Sequence, residues 1–140
     1  MNTRLDCEFV FGKCNGSMNL EVYSNDKLIS QYINPIEEKI LLTTQIDLPT
    51  RLKFVTSGKN HNTDTVVDQN GNIIADKYVI LQVFKLGLIV VNSNLLFSIC
   101  SNNNTFWGFN EEITIDIDEK DFIKWHLKKQ NKFSTGNDHN

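Results

Sequence analysis

Alanine is almost missing from this chain: Ala75 is the only one in 140 residues. Alanine is the strongest helix former, so its scarcity lowers the expectation of helix. Cysteine is also sparse, and Cys7, Cys14 and Cys100 form no C-x-x-C pair. An odd count without that spacing indicates neither a zinc site nor a disulfide framework. Free thiols are expected, with a Cys7–Cys14 bridge across a short hairpin as the alternative. Positive charge is scarce too, with a net charge of −3 and a pI near 5.5. The one basic run, Lys128-Lys129-Gln130-Asn131-Lys132, reads as a solvated tail, so no nucleic-acid partner is expected. No apolar run approaches the ~18 residues that a membrane span needs. The longest candidate, Tyr78–Val91, is interrupted by Lys85 and Gly87, so no membrane partner is expected. Residues Met1–Asp6 lack the apolar region of a secretory signal.

Catalytic motifs are missing as well. There is no G-x-S-x-G, H-E-x-x-H or Gly-rich phosphate loop. His61, His126 and His139 are the only imidazoles. Glu111, Glu112 and Asp116 could assemble a carboxylate pair for glycoside hydrolysis, but they suit a solvated strand face equally well. The expectation is a protein that binds and does not catalyse.

What the chain has is short-period alternation. Cys7–Phe11, Met18–Tyr23, Leu28–Ile33, Lys39–Ile46, Arg51–Val55, Tyr78–Phe84, Leu88–Val91, Leu95–Ile99, Thr105–Phe109 and Glu112–Ile117 all read as strands, separated by turn residues. Asn25-Asp26 is a turn dipeptide joining two of them. Glu119–Lys129 is the one plausible helix, with Asp118 as its cap. Nine or ten short strands predict an all-β, antiparallel β-sandwich or jelly roll with at most one short C-terminal helix. Residues 1–130 are expected to form one domain, and 131–140 a polar tail. The expected core comprises Leu20, Val22, Leu41, Leu52, Phe54, Val79, Leu81, Val83, Ile113 and Ile115.

The longest departure from economical hairpin building is residues 57–77. It joins two strand-like runs and carries Asp64, Asp68 and Asp76 among several asparagines. Polar loops on a rigid scaffold are where binding chemistry concentrates. Val66–Ile74 reads as an inserted hairpin, with Asn70-Gly71 suited to a type I′ turn. Asp68-Gln69-Asn70-Gly71-Asn72 superficially matches a calcium loop, but its glycine is at the fourth position and no closing glutamate follows. Calcium remains the candidate cofactor through another set: Asp64 and Asp76 as carboxylate ligands, with Asn60 and Asn62 supplying further oxygens at the base of the hairpin. The alternative is that both aspartates cap turns and pair with Lys59 and Lys77.

The second departure is Asn102–Asn110. Alternation sends Trp107 and Phe109 to one face and Phe106 to the other. If Phe106 is core, Trp107 and Phe109 form an exposed platform on which a sugar ring would stack, with the amides of Asn104 and Asn110 as hydroxyl partners. The alternative is Trp107 in the core. Asn15-Gly16-Ser17 and Asn103-Asn104-Thr105 match the glycosylation sequon but are discounted in the absence of a signal.

Leu52–Gly58 followed by Asp76-Lys77-Tyr78-Val79-Ile80-Leu81 resembles the calcium-dependent, xylan-binding type of carbohydrate-binding module. In that family a loop and an Asp-Arg-Asn-aliphatic strand start hold calcium. Asp76, Lys77 and Tyr78 take those three positions here, so Lys and Tyr depart from the pattern. The run from Ser57 to Val79, with Trp107–Asn110, is also similar to small β-sandwich proteins of tailed bacteriophages, especially those of marine cyanobacteria. That resemblance implies a virion component, made in the host cytoplasm and oligomeric in its assembly. Its partners would be other virion proteins and host-surface glycan. The function expected is carbohydrate binding by a virion-associated protein. The alternative is an architectural subunit (decoration, baseplate or fibre-linking) with protein contacts only.

Overall fold

The computed structural model describes residues 1–135, with side chains through Leu127. Eleven strands and two helices follow in the order β1 (Asn2–Gly12), β2 (Asn19–Ser24), β3 (Lys27–Tyr32), β4 (Lys39–Asp47), β5 (Thr50–Ser57), β6 (Thr65–Val67), β7 (Ile73–Asp76), β8 (Tyr78–Leu86), β9 (Ile89–Val90), α1 (Ser93–Ile99), β10 (Phe106–Trp107), β11 (Glu112–Ile117) and α2 (Glu119–Thr135). One sheet runs β10-β8-β1-β4, with β9 beside β8. The other runs β11-β5-β2-β3. All pairings are antiparallel. This is the β-sandwich that the alternation predicts. No described helix is long and apolar enough to cross a membrane.

The inner faces meet through aromatic rings. Phe9 of one sheet lies 6.0 Å from Phe54 of the other, and Phe54 lies 5.2 Å from Trp107. Leu5, Phe9, Phe11, Leu20, Val22, Leu52, Phe54, Val79, Leu81, Ile113 and Ile115 are all buried. Cys7, Cys14 and Cys100 are buried free thiols. Burial pushes the Cys100 thiol up to about 11, and Cys7 higher still. Neither is an available nucleophile at neutral pH.

Two expected core residues differ. Leu41 points outward and Leu42 takes the inner position, because a one-residue change of phase turns every side chain over. Val83 is only half-buried. A β-bulge opposite Glu8–Phe9 inserts an extra residue into β8, so Phe84 resumes the inward position after Leu81.

Leu95–Ile99, expected as a strand, lies in α1. Asn92 caps it, its side-chain oxygen accepting the Leu95 amide at 2.9 Å. The second helix, α2, continues to Thr135, past the expected domain boundary at residue 130. Asp118 accepts its Asp121 amide at 2.7 Å. His126 Nδ1 lies 2.7 Å from the Phe122 carbonyl. His139 and the end of the polar tail lie outside the described residues.

The type I′ turn occurs at Asn25-Asp26, where both residues have positive φ. It does not occur at Asn70-Gly71: Gly71 has φ +83° but Asn70 is not in that region. Instead the Gly71 amide bonds to the Asp68 carbonyl and the Asp68 amide to the Asn72 carbonyl. That is a three-residue loop with glycine in the left-handed position.

Candidate functional site

The long excursion leaves the sandwich beside the Asn102–Asn110 segment. The Lys59 amide donates to Asn110 Oδ1 at 3.0 Å, and Asn110 Nδ2 donates to the Lys59 carbonyl at 2.9 Å. Lys59 Nζ donates to the Gly108 carbonyl at 2.7 Å. The two departures from hairpin economy therefore share one rim.

Beyond that base, β6 and β7 pair only with each other. Two buried ion pairs hold the point where they leave the body. Lys59 Nζ lies 2.7 Å from Asp76 Oδ1, and Lys77 Nζ lies 2.9 Å from Asp64 Oδ2. The two lysine side chains are 4% and 7% exposed. Each is satisfied by a second bond, Lys59 to Gly108 and Lys77 to the Gly58 carbonyl at 3.2 Å. Buried charge is tolerated only with such pairing.

The carboxylates are equally engaged. Asp64 accepts the Asn60 amide at 2.8 Å and bonds from Asn15 and Thr63 at 3.2 Å each. The Asn60 amide, then Lys77, holds its carboxyl well below the usual range. Burial raises the Asp76 carboxyl, but hydrogen bonds from Lys59 and Thr65, together with the Lys59 charge, outweigh it and leave the group lowered. Thr65 donates to Asp76 at 2.6 Å.

Of the four residues expected as calcium ligands, Asn60 and Asp64 are joined directly, Asp64 accepting the Asn60 amide. Asp64 and Asp76 are the acids of two lysine ion pairs. Asn60 Oδ1 accepts the Asn62 amide at 3.0 Å in a local turn. No cluster of three or more His, Cys, Asp or Glu suited to a metal occurs among the described residues. Asp68 is also committed locally, accepting the amides of Asn70 and Asn72 at 2.8 and 2.9 Å.

The aromatic platform is reversed. Trp107 is fully buried and its Nε1 donates to the Asn104 carbonyl at 2.8 Å. A buried indole offers no face to a sugar, so the assignment of Trp107 to an exposed platform is corrected. Pairing of Trp107 with Val79 in β10–β8 turns the indole inward and Phe106 outward. The chain then leaves the strand at Gly108, alternation stops, and Phe109 emerges at 64% exposure. Phe106 stacks on Tyr78 at 4.7 Å, and Phe109 lies 5.5 Å from the His61 ring. The expected amide partners are occupied. Asn104 Oδ1 accepts the Phe106 amide at 2.9 Å, and both ends of the Asn110 amide bond to Lys59. Of the expected sugar-binding side chains, Phe109 is the exposed aromatic.

Sequence reasoning missed the apolar surface of the hairpin. Val66, Val67, Ile73 and Ile74 are 40%, 53%, 63% and 65% exposed. The signal was present, since four β-branched residues flank a turn in a segment too short to bury them. Compared with family models, with curated proteins and with solved structures, the chain matches none.

Proposed function

We propose that this protein is a non-catalytic interaction module that docks through the β6–β7 hairpin onto a neighbouring protein of a larger assembly. The observation that carries this reading is the hairpin itself. An isolated two-stranded hairpin is marginal in water, yet this one presents four exposed aliphatic side chains on a base clamped by two ion pairs. Burying the exposed 40–65% of each such side chain is worth roughly 0.6–2 kcal/mol. Aliphatic surface of this kind suits a protein groove better than the hydroxyl-rich face of a glycan. In the setting that the phage resemblance implies, the module is an architectural virion subunit.

The test is a paired substitution, Ile73→Ser with Ile74→Ser. It should leave the melting temperature of the isolated chain nearly unchanged while removing the chain from its purified native assembly. Undiminished incorporation would refute the reading.

Host-surface glycan is the second reading, favoured by the exposed Phe106 and Phe109 rings beside the Asn102–Asn104 loop. Its test is calorimetric titration with xylan oligosaccharides, in which Phe109→Ala would weaken binding.

A further inference from the structure

The strand β4 is a long sheet edge with charge only at its ends, Lys39 and Asp47, and none of the usual protection between them. Native proteins blunt such edges with prolines, charges, bulges or short length. Here Ile40-Leu41-Leu42-Thr43-Thr44-Gln45-Ile46 contains no charge, proline or glycine. Its register with β1 is unbroken over nine residue pairs, from Asn2↔Asp47 to Val10↔Lys39. The other outer strands are guarded. In β11, Glu112 and Asp116 carry charge, and the strand is bridged by Cys100 and Ser101. The β10 and β9 strands have two residues each. A bulge interrupts the β2–β3 pairing.

The hydrogen-bond phase shows which groups β4 offers. The Phe11 amide donates to the Glu38 carbonyl, and the Leu48 amide to the Met1 carbonyl. Even-numbered residues of β4 therefore face β1, and the amides and carbonyls of Lys39, Leu41, Thr43, Gln45 and Asp47 point away from it. The side chains of these same five residues lie on the exposed face of the sheet.

We propose that β4 pairs antiparallel with β4 of a second copy of this chain, across a two-fold axis at Thr43. Full overlap of the strand places Lys39 opposite Asp47, Leu41 opposite Gln45, and Thr43 opposite itself. Every outward amide and carbonyl then gains a partner. Within the chain Lys39 Nζ lies 3.0 Å from Glu8, Asp47 accepts the Asn2 side-chain amide and Thr43 Oγ1 donates to Asp6. The pairing adds a carboxylate of the second copy beside each Lys39 and sets a Thr–Thr pair at the centre, both favourable across antiparallel strands. The interface is isologous and closes on itself, so it yields a dimer with one continuous sheet and no fibre. This inference stands apart from the hairpin docking proposed above, which uses a different surface.

Sedimentation velocity on the full chain across a range of concentrations tests it, with four variants. The wild type should reach a dimer. Lys39→Asp should shift it to monomer by setting like charges opposed at both ends, and the double variant Lys39→Asp with Asp47→Lys should restore the dimer. Thr43→Pro should also give monomer, because the amide it removes faces away from β1. Under mild oxidation Thr43→Cys should cross-link to a dimer, because the axis brings that residue against its own copy. Circular dichroism melts confirm that each variant is folded. A wild type that stays monomeric would overturn the proposal. So would a dimer indifferent to Thr43→Pro and Lys39→Asp, which would place the interface elsewhere. Open-ended aggregates in place of a dimer would overturn it too, as would a Thr43→Cys chain that does not cross-link.

Discussion

Lys59 reaches across the base of the β6–β7 hairpin to Asp76, with Nζ 2.7 Å from Oδ1, and the same ammonium holds the Gly108 carbonyl. One side chain thus joins the start of the excursion, its end and the neighbouring aromatic segment. Removing it should strand a largely buried carboxylate. Lys59→Met is predicted to destabilise the fold by roughly 3–5 kcal/mol. Urea denaturation checks this, and a loss below about 1 kcal/mol would show that the hairpin base is not tied through this pair.

Acid should loosen the same base. Asp64 and Asp76 are both held below the ordinary carboxylate value. Folding therefore favours their ionised forms, and their contribution is complete above the unfolded value of about 3.9. It is lost as pH falls through the lower folded values. The melting temperature should owe no change to these groups between pH 7 and about 5, then fall below about 4. The double variant Asp64→Asn with Asp76→Asn should show a shallower acid decline than the wild type. Identical acid profiles would contradict this account.

The lysines also bear on calcium. With Lys77 and Lys59 against the two aspartates, millimolar Ca²⁺ should leave the melting temperature unchanged. A Ca²⁺-dependent rise would restore the metal reading of Asp64 and Asp76.

Trp107 and Phe109 should separate cleanly in a stability experiment. Trp107→Ala and Phe54→Ala remove buried, mutually packed rings and should each cost about 3–5 kcal/mol. Phe109→Ala should stay within about 0.5 kcal/mol. Equal losses at Trp107 and Phe109 would mean that the two rings share one environment.

These pairs show where the sequence was legible. The sandwich followed from period-2 alternation, because a strand with one buried face must alternate. Phe54, Leu52, Ile113 and Ile115 sit on the buried phase of that alternation. Phase was harder: Ile40-Leu41-Leu42 offers apolar residues to both faces, and only the pairing with β1 decides between Leu41 and Leu42. Bulges are not written in composition, so Val83 and Phe84 changed places. Leu95–Ile99 is too short and too apolar for periodicity to distinguish strand from helix; the Asn92 cap decided it. The two loops stand out in the sequence as departures, and pairing of Asp64 and Asp76 with Lys59 and Lys77 is one of the two readings that their composition allows. Oxygen-rich composition is compatible with a metal or with lysine pairing, and only folding brings Lys59 to Asp76 and Lys77 to Asp64. Alternation ties Trp107 and Phe109 to one face only if the strand runs through Gly108; it ends there, so Trp107 turns inward while Phe109 is exposed.

The most direct measurement of the docking account is hydrogen–deuterium exchange, comparing the isolated chain with the chain in its native assembly. Amides of residues 65–76 should exchange rapidly in the isolated chain and become strongly protected in the assembly. Protection confined to other surfaces, with residues 65–76 exchanging at the same rate in both states, would contradict it.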